Sequence, residues 1–515
     1  MSAIITDQLR ILNAKNFVAA ATSSSNSYYS FVGLTNATDY LSSWEVNPPS
    51  PKDSFEQEND YWDTMVALKK IKESDVNQVI RKNTWSSGTT YDMYRHDISR
   101  TNTSTLGSTS LYSSNYYVIN SDYRVYICLQ NGTDPENPAG KPSLDEPTFT
   151  DLEPKSAGSS GDGYIWKYLY TIKPSEIIKF DTVNFIPVPK DWQNSSESLA
   201  IRSNSAIKNN QLKIITITNR GENLGQPNKI YTNVPIKGDG NGAKATIVVN
   251  NDSKVESITV SIGGSGYTYG TVDLIGGNVP TGSTSPTFDV IIPPKGGHGA
   301  DIYRELGAYN VLIFSRIEND LENPDFITGN KVARVGIIEN PEAYNSTSLL
   351  DIDKVSAVYA LKLSGNDYQT TSFIPNSRFT QTIGTGITAV GRVISYDQKT
   401  GVLKYWQDKS LVGFNTNGSP NPSPTYGIEL QRFTSSVGIG GTVFIDNTNL
   451  YIDTDFTGIT TTINNRTYNL GQYFINGVSN PEVKKYSGNI IYVDNRPSIT
   501  RSPNQKEDIK VILQF

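Results

Sequence analysis

Histidine-dependent chemistry has few residues to use in this sequence. The only two histidines, His96 and His298, lie far apart in the chain, and their spacing does not fit a His-x-x-x-His zinc helix. His298 lies in the Gly-rich segment PPKGGHGADIYRELG, ahead of a short helix predicted at 300–306. That segment could bind an anion or position a base. A turn that exploits the conformational freedom of glycine is the interpretation that the sequence favours.

Thiol and phosphate chemistry are also poorly supported. The single cysteine, Cys128, excludes an intrachain disulfide and a multi-thiolate metal site, and we interpret it as a small buried apolar residue. GDGNGA at 238–243 resembles a phosphate loop, but the strand pattern KATIVV follows it, so no helix N-terminus would face a phosphate. The sequence predicts no cofactor and no metal.

Carboxylates beside aromatic rings leave a glycan-related alternative open. Asp and Glu total 51, and several lie next to Tyr or Trp, as in ENDYWD at 58–63. Two carboxylates about 5–9.5 Å apart would permit glycoside hydrolysis. Aromatic loops such as SSNYYVINSDY could bind sugars by stacking, although packing, with Trp62 in the core, and protein contact are the commoner reasons for such residues. A receptor- or glycan-binding protein, or a glycan-degrading enzyme, is therefore an alternative to a structural protein.

Composition indicates a multidomain, mainly β protein. At roughly 150 residues per domain, 515 residues predict about three domains. The 30 tyrosines suit half-buried sheet faces and protein interfaces. The net charge is −6, and the Lys and Arg residues are scattered, which argues against a nucleic acid partner. No apolar run approaches the ~18 residues that a membrane span needs, so we expect no membrane partner.

Two short helices are predicted near the N-terminus. The first covers residues 6–20, where Ile5, Leu9, Leu12 and Ala20 fall near one face that should dock on the protein. The second covers 59–67, where Trp62 begins an apolar i, i+3, i+4 pattern.

Two alternating strands follow, at 123–130 and 164–172. The first is a half-buried strand, with Tyr123, Val125, Ile127 and Leu129 on one face and Arg124, Tyr126, Cys128 and Gln130 on the other. In the second, five large residues share one face, and they are Tyr164, Trp166, Tyr168, Tyr170 and Ile172. Residues 131–162 between the strands are rich in Gly, Pro, Ser and Asp, which predicts a long exposed loop that makes contacts or stays mobile.

Changes in composition predict two small β modules inserted into a β-sandwich-like core. A weak repeat in a Gly- and Thr-rich stretch marks the first module. A hairpin, RVISY and GVLKYW around a turn at 397–400, marks the second. The predicted domains are a core at 1–200 with an N-terminal helix, a module at 205–295, a return to the core at 296–350, a second module at 355–475, and strands at 480–515 that complete the core.

The C-terminal segment predicts a strand, a turn and a final strand. The strand covers 489–493, the turn covers 494–497, and the alternating IKVILQF ends the chain. Asn495, Arg496 and Pro497 would form the turn. Arg496 could hold a carboxylate within the chain or on a neighbouring subunit, and the sequence favours the former.

Three segments together resemble the baseplate wedge protein, gene product eight, of T-even-type contractile-tailed phages. The first is GDGYIWKYLYTIKP at 161–174, and the second is SGNIIYVDNRPSITRSPNQKEDIKVILQF at 487–515. The third and weaker one runs from Trp44 through PPSPKDS and Trp62 to VIRKNTW at 79–85. The resemblance covers roughly 1–195, 300–345 and 480–515, whereas the two modules depart from it.

The resemblance implies a non-enzymatic subunit of the tail baseplate. It implies a mostly β fold, a homodimer, and contacts with wedge subunits resembling gene products six, seven and ten. We therefore expect a late, structural protein of the virion tail that is assembled in the host cytoplasm. The residues expected to serve structure or interfaces are Tyr164, Trp166, Tyr168, Trp62, Asn495, Arg496 and Pro497.

Overall fold

A computed structural model describes residues 4–35, 43–204, 209–318, 330–365, 367–384, 387–407, 442–445, 448–502 and 505–515. Parts of the predicted domains lie outside the described residues, and the longest such part is 408–441 in the predicted module at 355–475.

Short α-helices make up a small part of the described chain. They are α1 Asp7–Ala21, α2 Ser43–Val46, α3 Phe55–Thr64, α4 Pro174–Phe180, α5 Ser196–Arg202 and α6 Ile302–Leu306.

Strands make up most of the regular structure, which confirms a mainly β fold with 41% strand and 12% helix. The strands before residue 300 are β1 Tyr28–Gly33, β2 Met65–Lys70, β3 Val76–Arg81, β4 Tyr117–Ile119, β5 Arg124–Asn131, β6 Tyr164–Thr171, β7 Phe185–Pro187, β8 Ile214–Asn219, β9 Ile230–Gly238, β10 Lys244–Val249, β11 Val255–Ile262, β12 Gly270–Val272 and β13 Thr287–Ile291. Those after it are β14 Asn310–Glu318, β15 Lys331–Glu339, β16 Lys354–Ser356, β17 Tyr359–Ser364, β18 Arg378–Gly384, β19 Ile387–Asp397, β20 Val402–Trp406, β21 Thr442–Ile445, β22 Thr448–Ile452, β23 Gly458–Ile463, β24 Arg466–Phe474, β25 Val478–Ser479, β26 Asn489–Thr500 and β27 Lys506–Gln514.

The chain divides into two compact units. Unit 1 contains the described parts of Met1–Val18, Asn77–Leu312 and Ile512–Phe515. Unit 2 contains those of Ala19–Val76 and Ile313–Val511. The domain boundaries given above stay predictions.

Unit 1 is built around an aromatic sheet and a Gly-rich region. The aromatic sheet has the order β4-β5-β6. The Gly-rich region contains a four-stranded sheet of order β11-β10-β9-β12 and the pair β13-β8, which share a separate apolar cluster. GDGNGA leads directly into β10, which confirms that a strand, and no helix, follows this loop.

Unit 2 contains a five-stranded sheet of order β16-β2-β1-β15-β26, in which β1 is buried along its whole length. Its largest sheet has the order β20-β19-β18-β21-β22-β17-β25, and a further pairing of β20 with β17 closes it. Residues at alternate positions, such as Leu361, Leu363, Leu403 and Tyr405, form the apolar interior of this closed barrel. The hairpin predicted around 397–400 is confirmed as β19 and β20.

Both predicted N-terminal helices form, with corrections. The helix predicted at 6–20 is α1, but Leu9 and Leu12 are exposed while Ile11 and Ala14 are buried, so the predicted docking face was wrong. The helix predicted at 59–67 begins earlier, because the Ser54 side chain caps its N-terminus, and it ends at Thr64. Residues 65–67 belong instead to β2, which pairs with β1.

The aromatic sheet departs from the predicted alternation. The centre of β5 is buried on both faces, because Tyr126 and Cys128 are as inaccessible as Val125 and Ile127, and the Tyr126 ring packs 5.5 Å from Phe149 of the following loop. The prediction of a half-buried strand was therefore wrong, whereas the predicted burial of Cys128 is confirmed. Val125 pairs with Tyr170 and Tyr126 pairs with Tyr168, so β6 has one extra residue at this point. This bulge places Tyr170 on the face opposite Tyr168, so the prediction of five large residues on one face was wrong.

The segment predicted as an exposed loop, residues 131–162, has little regular structure, but hydrogen bonds from buried side chains hold it in place. Asn131 and Ser143 are buried, and the Asn131 side-chain amide donates to the Tyr91 carbonyl at 2.9 Å. The buried Asp162 carboxylate accepts from the backbone N–H of Leu144 at 2.9 Å and of Tyr164 at 3.0 Å. These bonds hold the start of the segment on Tyr91 and its middle and end on β6, while much of the segment between them is exposed, as predicted.

The Gly-Asp-Gly-Tyr motif at 161–164 has a conformational basis. Gly163 has φ +85°, and a Cβ there would lie 2.8 Å from the Cα of Gly132. Gly161 also has a positive φ, +71°, but a Cβ there would meet nothing within 4 Å. Both positions favour glycine, and only Gly163 also needs the missing side chain for close backbone approach.

Replacing Gly163 with Ala should therefore destabilise unit 1 more than replacing Gly161. We expect about 1 kcal/mol for Gly161→Ala, from the positive φ alone, and about 3 kcal/mol for Gly163→Ala, because the backbone must also shift. Urea denaturation of the full chain, followed by tryptophan fluorescence, measures the difference. Equal losses for the two variants would show that the contact with Gly132 carries no energy.

Candidate functional site

Tyr164 and Trp166, two of the predicted site residues, lie inside unit 1. Their rings stack with centroids 5.3 Å apart, and Tyr91 packs edge-on against Trp166 at 5.8 Å. The Tyr164 hydroxyl donates to the Lys141 carbonyl at 2.7 Å and accepts from the Tyr91 backbone N–H at 2.9 Å. Both residues therefore fasten the long loop to the sheet and present no surface to a partner.

Tyr168, the third predicted residue of β6, is partly exposed. Its ring packs 5.8 Å from Tyr126, and its hydroxyl lies 2.8 Å from the Thr171 hydroxyl. Beside it, Lys167 is buried, donates to the Leu152 carbonyl at 2.7 Å, and has a pKa lowered by burial. The predicted alternation did not indicate this buried lysine, because it placed only the five large residues on one face.

Trp62 lies in the apolar core of unit 2. It is 1% exposed, and its ring centroid is 6.2 Å from that of Tyr486. Its backbone carbonyl accepts from the Lys485 ammonium at 3.0 Å. Trp62 is therefore a core residue, and it connects α3 to the segment before β26.

Asn495 contacts a buried arginine that the sequence analysis did not single out. Arg334 is 1% exposed, and its Nε donates to the Asn495 side-chain oxygen at 2.8 Å. Another guanidinium nitrogen donates to the Thr64 hydroxyl at 2.6 Å. The Asn495 amide then donates to the Pro49 carbonyl at 2.9 Å. Asn495 thus connects β15, β26 and the segment between α2 and α3.

Aromatic rings complete the surroundings of Arg334. Its guanidinium lies 4.7 Å from the ring centroid of Tyr61 and 5.6 Å from that of Trp44. The Trp44 indole N–H donates to the Arg496 carbonyl at 3.0 Å. A single Arg within the apolar pattern KVARVGII was the available sequence signal, because a charge at a buried strand position requires partners.

Arg496 and Pro497 are exposed, and the turn predicted at 494–497 is wrong. β26 runs through this region, with Asn495 opposite Arg334 and Ile499 opposite Val332. Residues 496–498 therefore bulge, which accommodates Pro497 because proline has no N–H for the ladder. The Arg496 Nε lies 2.6 Å from the Asp494 carboxylate, a contact within the chain.

An open groove runs beside β26, which forms one edge of its sheet. We define the β26 groove by residues 51–55, Glu58, Tyr61 and residues 490–493, which enclose about 620 Å³. Phe55, at 89% exposure, and Ile491, at 41%, present apolar side chains here. Solvent-facing apolar side chains next to a sheet edge are typical of surfaces that receive another protein chain.

The residues that could have served catalysis, His298 and Cys128, are buried and contact only other parts of the chain. His298 is buried, with Nδ1 2.6 Å from the Glu305 carboxylate and its ring 4.7 Å from that of Tyr94. The same carboxylate accepts from the Gly299 backbone N–H at 2.6 Å, so the pair ties the Gly-rich turn to α6. Cys128 is buried, as predicted, and burial raises the pKa of its thiol.

Metal-binding clusters and membrane-spanning helices are both absent from the residues that the structure describes. Within those residues, no group of three or more His, Cys, Asp or Glu side chains is placed to hold a metal ion. No helix among them has the length and apolar character to cross a membrane.

Comparison with known proteins agrees with the resemblance stated from the sequence. Residues 3–153 match the family model described as Bacteriophage T4, Gp8, a baseplate wedge protein, and this confirms the recognition of a Gp8-like chain. A search of curated proteins found no match. The family match supports a structural protein of the phage baseplate, and with it a place in the tail of the virion.

Replacing Asn495 with Ala should destabilise unit 2, because it removes an acceptor from a buried guanidinium. We expect a loss of about 2 kcal/mol, typical of a hydrogen bond to a charged group. Asn489→Ala, at an exposed position of the same strand, is the matched control and should stay within about 0.5 kcal/mol of the parent protein. Urea denaturation of both variants measures the effect, and indistinguishable midpoints would contradict the role given to Asn495.

Proposed function

We propose that this Gp8-like chain is a structural subunit of the baseplate wedge in a contractile phage tail, where it holds neighbouring wedge proteins in place. The family match over residues 3–153 is the observation that carries the proposal. The environments of the predicted site residues support it, because Tyr164, Trp166, Trp62 and Asn495 are used to fix the fold.

The proposed partners are a second copy of the chain and wedge subunits resembling gene products six, seven and ten. The protein would be made late in infection and assembled into the tail in the host cytoplasm. We propose no cofactor, no catalytic activity, and neither nucleic acid nor membrane as a partner. The proposed architecture keeps the predicted ranges, a core at 1–200, 296–350 and 480–515 with modules at 205–295 and 355–475 inserted into it.

The β26 groove is the proposed docking surface for a wedge neighbour. An edge strand offers backbone N–H and C=O groups to an extended segment, and pockets beside it select the side chains of that segment. Phe55 and Ile491 would be the apolar anchors, since a few large side chains usually carry most of the binding energy. Arg496 and Pro497, exposed on the bulge of the same strand, would extend the contact.

Mass in solution is the direct test of the proposal. Sedimentation of the purified chain should give a dimer at micromolar concentration. After mixing with the other wedge subunits of the same phage genome, the dimer should enter a larger complex. A monomer that ignores those subunits would contradict the assignment and favour the receptor- or glycan-binding alternative.

A single charge in the β26 groove should weaken wedge assembly without unfolding the protein. We expect Ile491→Lys to raise the Kd for a wedge neighbour at least tenfold, because a lysine would be desolvated at an apolar contact. The control Ile275→Lys, at an 82% exposed position in unit 1, should leave binding unchanged. Titration by sedimentation or calorimetry measures both, and equal binding by the two variants would remove the groove from the interface.

A further inference from the structure

A second cleft, in unit 2, lies where three loops meet. It has a volume of about 490 Å³, within the range typical of small-molecule sites. Planar amides and one phenol dominate its walls, contributed by Gln369, Gln398, Asn464 and Tyr468. We name it the amide cleft. Side-chain amides and phenols form directional hydrogen bonds with hydroxyl groups, because each amide offers both donors and an acceptor.

Tight turns position the residues of the amide cleft. Asn464 and Asn465, with φ +51° and +62°, form the two-residue turn between β23 and β24. Positive φ at both central residues is the signature of a type I′ turn, which asparagine tolerates. Arg466 follows directly, and its guanidinium lies 5.4 Å from the ring centroid of Tyr468.

The opposite wall is fixed by the turn between β19 and β20. The Asp397 carboxylate accepts from the Lys399 backbone N–H at 3.0 Å and from the Thr400 hydroxyl at 2.8 Å. The Gln398 amide donates to the Thr371 carbonyl at 2.9 Å, which leaves its own oxygen as an acceptor. The backbone that carries Lys399 is therefore held in place before any ligand arrives.

Charge distinguishes the amide cleft from an ordinary polar surface. Its described lining contains two cations, Lys399 and Arg466, and no carboxylate. Neither cation forms an ion pair with a carboxylate in the part of the chain that the structure describes. Asp397, on the same turn but outside the lining, directs its carboxylate to the Lys399 N–H and the Thr400 hydroxyl. The lining itself thus presents two cations on a protein whose net charge is −6, and an anionic group would be drawn to them.

We infer that the amide cleft binds an acidic saccharide, with its carboxylate between Lys399 and Arg466 and its hydroxyls on the amides. A sugar fits this lining better than a peptide does, because Ile463 is the one aliphatic residue among the lining residues that the structure describes. Peptide side chains would find few apolar contacts there, whereas hydroxyls would find several donors and acceptors. This activity is separate from wedge assembly and does not depend on it.

Binding of tetragalacturonate to the full chain, followed by calorimetry, tests this inference. We expect saturable binding that weakens as salt is added, because exposed charges carry part of it. Lys399→Gln and Arg466→Gln should each weaken it roughly tenfold, the usual effect of losing one charge-assisted hydrogen bond. Arg378→Gln replaces an exposed arginine of the same unit outside the cleft and should leave binding unchanged.

Three further probes decide the ligand class. Maltotetraose, a neutral sugar, should bind more weakly than tetragalacturonate. Pentaglutamate and inorganic phosphate should bind more weakly as well. If pentaglutamate or phosphate binds as tightly and responds to the same substitutions, the site recognises a peptide or any anion, and the inference is wrong. No binding of tetragalacturonate, or equal losses with Arg378→Gln, would also overturn it, while wedge assembly would be unaffected.

Discussion

A buried guanidinium must have its donors satisfied, and in unit 2 this requirement determines how the edge of the five-stranded sheet is built. Arg334 extends from β15 and reaches Asn495 on β26 and Thr64 at the end of α3. Tyr61 and Trp44 cover its faces. Since an unpaired buried charge costs several kcal/mol, the native positions of the sheet, α2 and α3 depend on one another through this side chain. Arg334 therefore adds a side-chain tie to the β15–β26 ladder that holds the edge strand that we propose as a docking surface.

In unit 1, a buried carboxylate, that of Asp162, satisfies backbone N–H groups. A segment of about thirty residues without regular structure would leave many backbone groups unpaired if it were simply laid over a sheet. Asp162 accepts the backbone N–H groups of Leu144, in the middle of the segment, and of Tyr164 in β6, and the Asn131 side chain ties the start of the segment to the Tyr91 carbonyl. The segment then covers the second face of β5, which explains why Tyr126 and Cys128 are buried despite a pattern typical of a half-exposed strand.

Local patterns predicted those features that depend on nearby residues. Residue spacing and turn residues predicted the strands around Tyr126 and Trp166, the hairpin of β19 and β20, and the N-terminal helix. They did not predict the buried face of α1, the bulge in β6 or the bulge at Pro497, because each of these depends on a partner that is distant in sequence. For the same reason Asn495 was identified as a turn residue, whereas its role follows from Arg334, 161 residues away.

Buried polar side chains stabilise the fold of this protein, whereas exposed ones are available to partners. Some polar side chains are buried and form hydrogen bonds within the chain, and they are Arg334, Asp162, His298 and Glu305. Lys399 and Arg466 are exposed and lie on tight turns whose backbone is already fixed. A pre-ordered turn loses little entropy when its side chains bind, so recognition at such a site costs less than recognition by a mobile loop. The fixed turns beside Lys399 and Arg466 thus favour the binding that we infer for the amide cleft.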